Sequence, residues 1–167
     1  QYHCSFPQFS TRISLHDARH PLLPPQRVVP TSFSLGGRTR MGVITGPNTG
    51  GKTVTLKTIG LLALMNQAGI PLPSSPDSEL PLLSCVRSDI GDEQSISQNL
   101  STFSAHMKNI VSILQKAAPD ALILLDELGA GTDPQEGAAL GLAIAERLLA
   151  SEAFVVISTH LTPLKYF

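Results

Sequence analysis

Three short stretches of this chain carry side chains whose types and spacing suit work on a phosphate group. They are MGVITGPNTGGKT at 41–53, DE at 126–127 and STH at 158–160. The first fits the pattern G-x4-G-K-[ST] with Gly46, Pro47, Asn48, Thr49, Gly50, Gly51, Lys52 and Thr53. Its glycines reach backbone conformations closed to other residues and leave no Cβ between the main chain and a ligand. The amides from about Thr49 to Thr53 can then form an anion nest, backed by the positive end of the helix that follows; Pro47 donates no N–H. Lys52 would reach the β- and γ-phosphates, and the Thr53 hydroxyl would ligate Mg²⁺. The pattern also arises by chance in Gly-rich turns of unrelated α/β proteins, so the setting decides. An apolar, β-branched run at 41–45 precedes the loop and an amphipathic run at 52–68 follows it, which is the strand–loop–helix context the chemistry requires.

Asp126 and Glu127 close the continuous apolar run 121–125, the signature of a strand buried on both faces. Adjacent acids at such a place are unfavourable unless partnered, and a hydrated Mg²⁺ would be one partner; an exposed acidic turn is the plainer alternative. A shell of Thr53, two phosphate oxygens and waters held by Asp126 satisfies the octahedral oxygen preference of Mg²⁺. Glu127 is then left to orient the attacking water or accept its proton. His160 follows a third apolar run, 153–157. A lone His after a strand is more often structural, but beside a phosphate loop and an acid pair on neighbouring strand ends it is assigned to the site. Phosphoryl transfer asks mainly for positioning and charge stabilisation, so the expected reaction is nucleoside triphosphate hydrolysis. Ser101, Thr102 and Ser104 surround the start of a further helix and mark a second anion-attracting terminus. Asp133, followed by Pro134 and Glu136, suits a helix N-cap, and a cap explains it fully.

These groups need elements to carry them. Apolar periodicity predicts helices at 52–68, 101–117 and 134–150, and strands at 41–45, 82–90, 121–125 and 153–157. Strands alternating with helices imply a parallel sheet with crossover helices, whose C-terminal edge is where ligands bind. In the last helix Gly137, Gly141 and Ala145 form a small-residue stripe that permits close packing. Residues 1–30 read as irregular and Pro-rich with a short strand at 12–15, 31–45 as two strands joined by a turn, 70–81 as a Pro-rich loop, and 95–100 as a polar loop. The fold class expected is therefore α/β, with a small antiparallel β part over 1–40 and a mostly parallel core over 41–167.

The 167 residues suit about one domain, and 12 Lys plus Arg against 13 Asp plus Glu show no electrostatic footprint for sequence-independent DNA binding. Any polynucleotide is expected to be held by other domains. Cys4 and Cys85 lack metal-ligand spacing and read as thiols in a reducing compartment. His3, His16 and His20 fit no standard ligand set and read as scattered surface histidines. No stretch is long and apolar enough to span a bilayer, so a cytoplasmic protein without a membrane partner is expected. A first residue of Gln and an apolar strand close to the last one give the look of an excised piece.

GPNTGGKT, STFSAHM, LILLDELGAGTDPQEG and the terminal STH, in this order and spacing, resemble the ATPase domain of the MutS family within the ABC-type P-loop ATPases. More narrowly, IGDEQSI, LSTFS, GTDPQEGAAL and ARHPLL look like the second bacterial MutS paralogue, a branch linked to recombination suppression and to collided ribosomes. The resemblance implies ATP as nucleotide, with residues 46–53 as Walker A loop, Asp126 and Glu127 as Walker B pair and Ser101 in the signature segment. It further implies Asp133 in the D-loop, His160 as the switch histidine sensing the γ-phosphate, and Gln94 in the Q-loop. It also implies a homodimer in which Ser101 of one subunit meets the nucleotide held by the other, and a larger protein acting on DNA or ribosomes through regions beyond this chain. Such a domain either hydrolyses ATP to open and close the dimer or serves as a nucleotide-gated dimerisation module with negligible turnover.

Overall fold

A computed structural model describes residues 3–47, 50–91 and 99–166. The chain runs β1 (Gln8–Phe9), β2 (Ile13–Ala18), β3 (Thr31–Leu35), β4 (Met41–Thr45), α1 (Lys52–Gln67), β5 (Glu79–Leu80), β6 (Cys85–Asp89), α2 (Asn99–Gln115), β7 (Ala121–Leu125), α3 (Pro134–Leu149) and β8 (Phe154–Thr159), then a 3₁₀ turn, Thr162–Tyr166.

β7 and β8 consist wholly of buried residues; their apolar stretches, Ala121–Leu125 and 154–157, suit burial on both faces, and β8 ends in the buried polar pair Ser158 and Thr159. Alternation along each strand sends side chains to opposite faces. Leu122, Leu124, Phe154 and Val156 meet Leu56, Ile59 and Leu62 of α1 together with Ile13, Leu15 and Leu35 of the N-terminal strands. Ile123, Leu125, Val155 and Ile157 meet Ile110 and Ile113 of α2 and Ile144 and Leu148 of α3. The sheet is thus the middle layer between two apolar cores. Its four strands lie in the order β4-β8-β7-β6, and every pairing is parallel. From β4 the chain crosses by α1 to the far strand β6, then steps back through α2 to β7 and through α3 to β8. The two halves of the winding therefore meet between β4 and β8, the crevice where α/β sheets bind ligands.

The small-residue stripe on α3 has a concrete purpose. A Cβ added to Gly137 would lie 2.1 Å from the carbonyl oxygen of Gly129, and one on Gly141 would lie 2.9 Å from Leu164 Cδ1. Glycine at 137 lets α3 press against the loop that leaves β7, and at 141 it makes room for the C-terminal 3₁₀ turn. At the other end of the core, α1 stops where Gly69 takes a φ of 68° and Ile70 N–H returns to Met65 O at 2.9 Å.

Several elements depart from the sequence reading. β3 and β4 are joined by the turn bridged at Gly36 and Thr39, yet they do not pair; β3 joins β2 in a first sheet, and β4 opens the parallel one. The first sheet, ordered β1-β5-β2-β3, is mixed rather than purely antiparallel, because β1 and β5 run parallel. Both are two-residue strands, from segments whose irregular or Pro-rich sequence pointed to loops; pairing alone defines them, and two residues are too few for any periodicity. β6 is shorter than the strand expected over 82–90, and Ser84 N–H instead bonds Asp120 O at 3.0 Å. α2 starts at Asn99, within the expected polar loop, whose residues 95–98 lie outside the described residues.

Candidate nucleotide-binding site

β4 delivers the chain to the glycine loop, and the loop must reverse into α1 within a few residues. Gly46 and Gly51 do this at φ 147° and 77°, positions where a side chain would be strained. Gly50 N–H closes the turn on Pro47 O at 2.9 Å. α1 then begins at Lys52 with no side-chain cap and no acid in its first turn. α3 shows the contrast, for Asp133 accepts from the N–H groups of Gln135 and Glu136 at 2.9 and 3.3 Å, with Pro134 and Glu136 in its first turn. The start of α1 thus keeps the electropositive character that α3 neutralises, and suits an anionic ligand. Lys52 is 5% exposed, and its Nζ donates to Gly46 O at 2.8 Å, which holds the cation against the loop. Thr53 is half-buried in the first turn beside it, and Asn48 and Thr49 lie outside the described residues.

The register places the other candidates. Thr45 of β4 is paired with Thr159 of β8, and Leu125 of β7 with Ile157. The ends of three adjacent strands therefore carry the glycine loop, His160 and the acid pair, with exposed His160 between the other two. Asp126 and Glu127 are half-buried and are fixed by Ser158, a fully buried residue of the middle strand. Ser158 Oγ donates to Asp126 Oδ1 and accepts from Glu127 N–H at 2.9 Å, while Leu128 N–H bonds Ser158 O at 3.0 Å. Asp126 N–H continues the ladder to Asp89 O at 2.9 Å. Glu127 takes a φ of 49°, rare for a residue with a side chain. Such a conformation persists only where surrounding bonds over-determine it, as the Ser158 contacts do here.

Among the described residues no three His, Cys, Asp or Glu side chains converge as a protein-only metal cage. The donors at this edge, one hydroxyl from Thr53 and one carboxylate from Asp126, fit instead a hard cation that keeps waters and ligand oxygens.

Other candidates lie further out. Asp133 is exposed, and its capping bonds account for its carboxylate. Ser101 sits in the first turn of α2, with its side chain outside the description; Gln94 lies outside the described residues. The structure also assembles what spacing alone did not. A cavity of about 400 Å³ opens beside the loop, lined by Arg27, Val28, Val29 and Thr31 against Gly50, Gly51, Val54 and Thr55. Ser158 follows the expected strand 153–157 directly; β8 continues through Thr159 and buries both residues, so only the extension of the strand could have signalled its role.

Comparison with known proteins agrees with this geometry. Residues 42–167 match the family model of MutS domain V. The chain is 58% identical over 153 residues to Endonuclease MutS2 of Shouchella clausii, 59% over 156 to that of Thermomicrobium roseum and 54% over 158 to that of Thermotoga maritima. Those alignments cover 92%, 93% and 95% of this chain but 19%, 20% and 21% of the relatives, so the chain spans about a fifth of their length. The strand–glycine loop–helix, the acid pair two strands away and this match together place the chain in the MutS family, as its P-loop ATPase module, domain V.

Proposed function

We propose that this domain binds ATP with Mg²⁺ at the β4–β8–β7 edge and hydrolyses it, and that nucleotide bridges two copies of the chain. The observation that carries this is one edge holding both an uncapped helix start with a buried lysine and an acid pair anchored by Ser158. The amides of the loop and Lys52 bind and orient the triphosphate, with Lys52 exchanging Gly46 O for phosphate oxygens. Thr53 and Asp126 would hold the metal, which supplies charge neutralisation at the transferred phosphoryl group. Glu127 aligns the attacking water and accepts its proton; its fixed backbone restricts where the carboxylate can go. His160, on the strand between loop and acids, faces the position of the terminal phosphate and reports its presence. The cavity beside Gly50 and Gly51 takes the nucleoside end. Ser101 and Asp133 act across the dimer, Ser101 on the nucleotide of the partner.

The relatives are named endonucleases. For the whole protein we infer a cytoplasmic role on DNA or on ribosomes, with ATP turnover opening and closing the dimer and the macromolecule held by regions outside this chain. No helix among the described residues is long and apolar enough to cross a membrane.

Titration with a fluorescent ATP analogue tests the binding step: saturable uptake is expected, and Lys52→Ala is expected to abolish it. Glu127→Gln is expected to bind nucleotide normally while turnover falls by about 10²-fold or more, the scale for a group that positions and deprotonates water. Turnover that survives Glu127→Gln rejects the assignment of that residue. Steady-state hydrolysis rising more than linearly with protein concentration supports the bridged dimer; binding without hydrolysis at any concentration makes the domain a nucleotide-gated dimerisation module instead.

A further inference from the structure

A second polar cluster lies one strand beyond the acid pair, and nucleotide chemistry does not require it. Asp89, the last residue of β6, is 7% exposed. Both of its carboxylate oxygens are occupied from α2: His106 Nδ1 donates to Oδ2 at 2.9 Å and Asn109 Nδ2 to Oδ1 at 2.7 Å. Asn109 also reaches Ser88 O at 3.1 Å. His106 and Asn109 are three residues apart, on one face of the helix. The main chain of the same aspartate accepts the N–H of Asp126 at 2.9 Å. One residue therefore ties α2 to the backbone of the acid pair.

α2 is gripped on the other side of the acids as well. Phe103, one turn before His106, packs on the loop that follows Glu127, with its Cδ2 3.5 Å from where a Cβ on Gly131 would stand. The chain leaving β6 passes equally close, since a Cβ on Gly91 would come within 3.1 Å of His106 Cε1. Burying a carboxylate and its partners seldom stabilises a fold more than apolar packing of the same volume would. What a doubly bonded carboxylate does give is a fixed azimuth and height for the helix that carries its donors. Ser101, in the first turn of α2, lies five residues before His106, about 7.5 Å along the axis.

We propose that His106 is a positioning residue: through Asp89 it locks the start of α2 to the strand end beside the acid pair, so that Ser101 is held at a fixed place for presentation to a second copy of the chain. This rests on the ATP-bridged dimer proposed above. Asn109 is the second pin of the same lock. The lock governs assembly and turnover, and it leaves capture of nucleotide by a single copy alone, because the glycine loop and Lys52 lie on the far side of β8.

The test uses the full-length protein and three readouts: affinity for a fluorescent ATP analogue, the protein concentration giving half-maximal ATPase activity, and kcat at saturating protein. His106→Ala is expected to leave affinity within twofold of wild type, raise the half-maximal concentration and lower kcat, each by about tenfold, the scale of one lost hydrogen bond to a carboxylate. His106→Asn, which returns an N–H donor near the place of Nδ1, is expected to recover most of both. Should His106→Ala fold poorly, Asn109→Ala keeps the His106 contact and is expected to shift both values in the same direction by about threefold. The proposal is overturned if folded His106→Ala keeps the wild-type half-maximal concentration and kcat, or if His106→Asn is as impaired as His106→Ala. It is likewise overturned if the loss lies in nucleotide affinity. Wild-type protein whose activity per chain does not depend on concentration would instead sink the dimer reading, before any variant is compared.

Discussion

Ser158→Ala separates the anchoring of the acid pair from the capture of nucleotide. The hydroxyl is fully buried, donates to Asp126 and accepts from Glu127 N–H. Alanine removes both bonds and adds nothing in their place. A hydrogen bond to a charged group contributes about 1.5–3 kcal/mol, and a buried N–H left without a partner costs about 1–3 kcal/mol. Asp126 is half-buried, so water replaces part of what it loses. The expected net loss of stability is about 2–4 kcal/mol, which for a domain of this length lowers Tm by about 4–16 °C. The kinetic effect is larger in proportion. Glu127 sits at φ 49°, a conformation about 1–3 kcal/mol above its relaxed alternatives, and its N–H is one of the bonds that hold it there. Once released, the carboxylate moves by the order of 1 Å, enough to lower kcat about 10²-fold. The phosphate loop is on another strand, so the dissociation constant for nucleotide is expected to stay within about threefold, less than 1 kcal/mol. Thermal unfolding, analogue titration and steady-state hydrolysis measure the three quantities. Ser158→Cys keeps a weak donor and is expected to fall between wild type and alanine. Folded Ser158→Ala turning over at the wild-type rate would refute the claim that this hydroxyl organises the acids.

Gly137→Ala sets helix propensity against close packing: propensity alone favours alanine by about 1 kcal/mol, but its Cβ would stand 2.1 Å from Gly129 O, a backbone atom with no rotamer to change. Overpacking of this kind costs about 1–3 kcal/mol or more, so urea denaturation is expected to show a destabilised variant, and a stabilised one would show that α3 does not press on the loop as described. His20 titrates below the ordinary histidine value because burial, and then the charge of Lys57, disfavour its protonated form. The unfolded chain therefore takes up the proton first as pH falls: the stability that neutral His20 permits is complete above about 6.5 and declines as pH drops from there through the lower folded value. Protonation also breaks the bond that Nδ1 accepts from Leu22 N–H at 3.3 Å. His20→Gln is expected to flatten the stability profile in that window, and an NMR titration placing His20 at or above 6.5 would contradict the stated environment. Lys57→Met is expected to raise the value only in part, since burial is the larger cause.

The parts of this architecture that could be read from the chain are those that each segment specifies by itself. Apolar runs marked β4 and β7 at their observed bounds and β8 to within two residues; for β7 and β8 the reason is that a strand covered on both faces admits little else. α1 and α3 announced their starts, one by its glycines and one by Asp133-Pro134. Parallel winding followed from strands separated by helices, and it brought Gly46, Lys52, Thr53, Asp126, Glu127 and His160 to one edge without any pairing being known. What escaped depends on registers between distant segments. β1 exists because Gln8 pairs with Glu79 and Phe9 with Leu80 across some seventy intervening positions, β5 because it also pairs with β2 at Ser14, and neither segment has a period of its own. Nothing local distinguishes the Asp89 carboxylate from any acid near a strand end, or His106 from any polar residue beside an apolar stripe. Only the seating of α2 on β6 turns them toward each other. Ser158 is the intermediate case. It stands one residue past the apolar run 153–157, and that its hydroxyl would meet Asp126 and Glu127 follows from β8 running on to Thr159 beside β7 in a particular register, with Leu125 opposite Ile157. Local chemistry thus supplies the reacting groups, whereas the residues that hold them in place are chosen by which strands lie side by side. A search for further positioning residues in this domain therefore begins from the neighbours of the acid-bearing strand, β8 and β6, and not from the motifs.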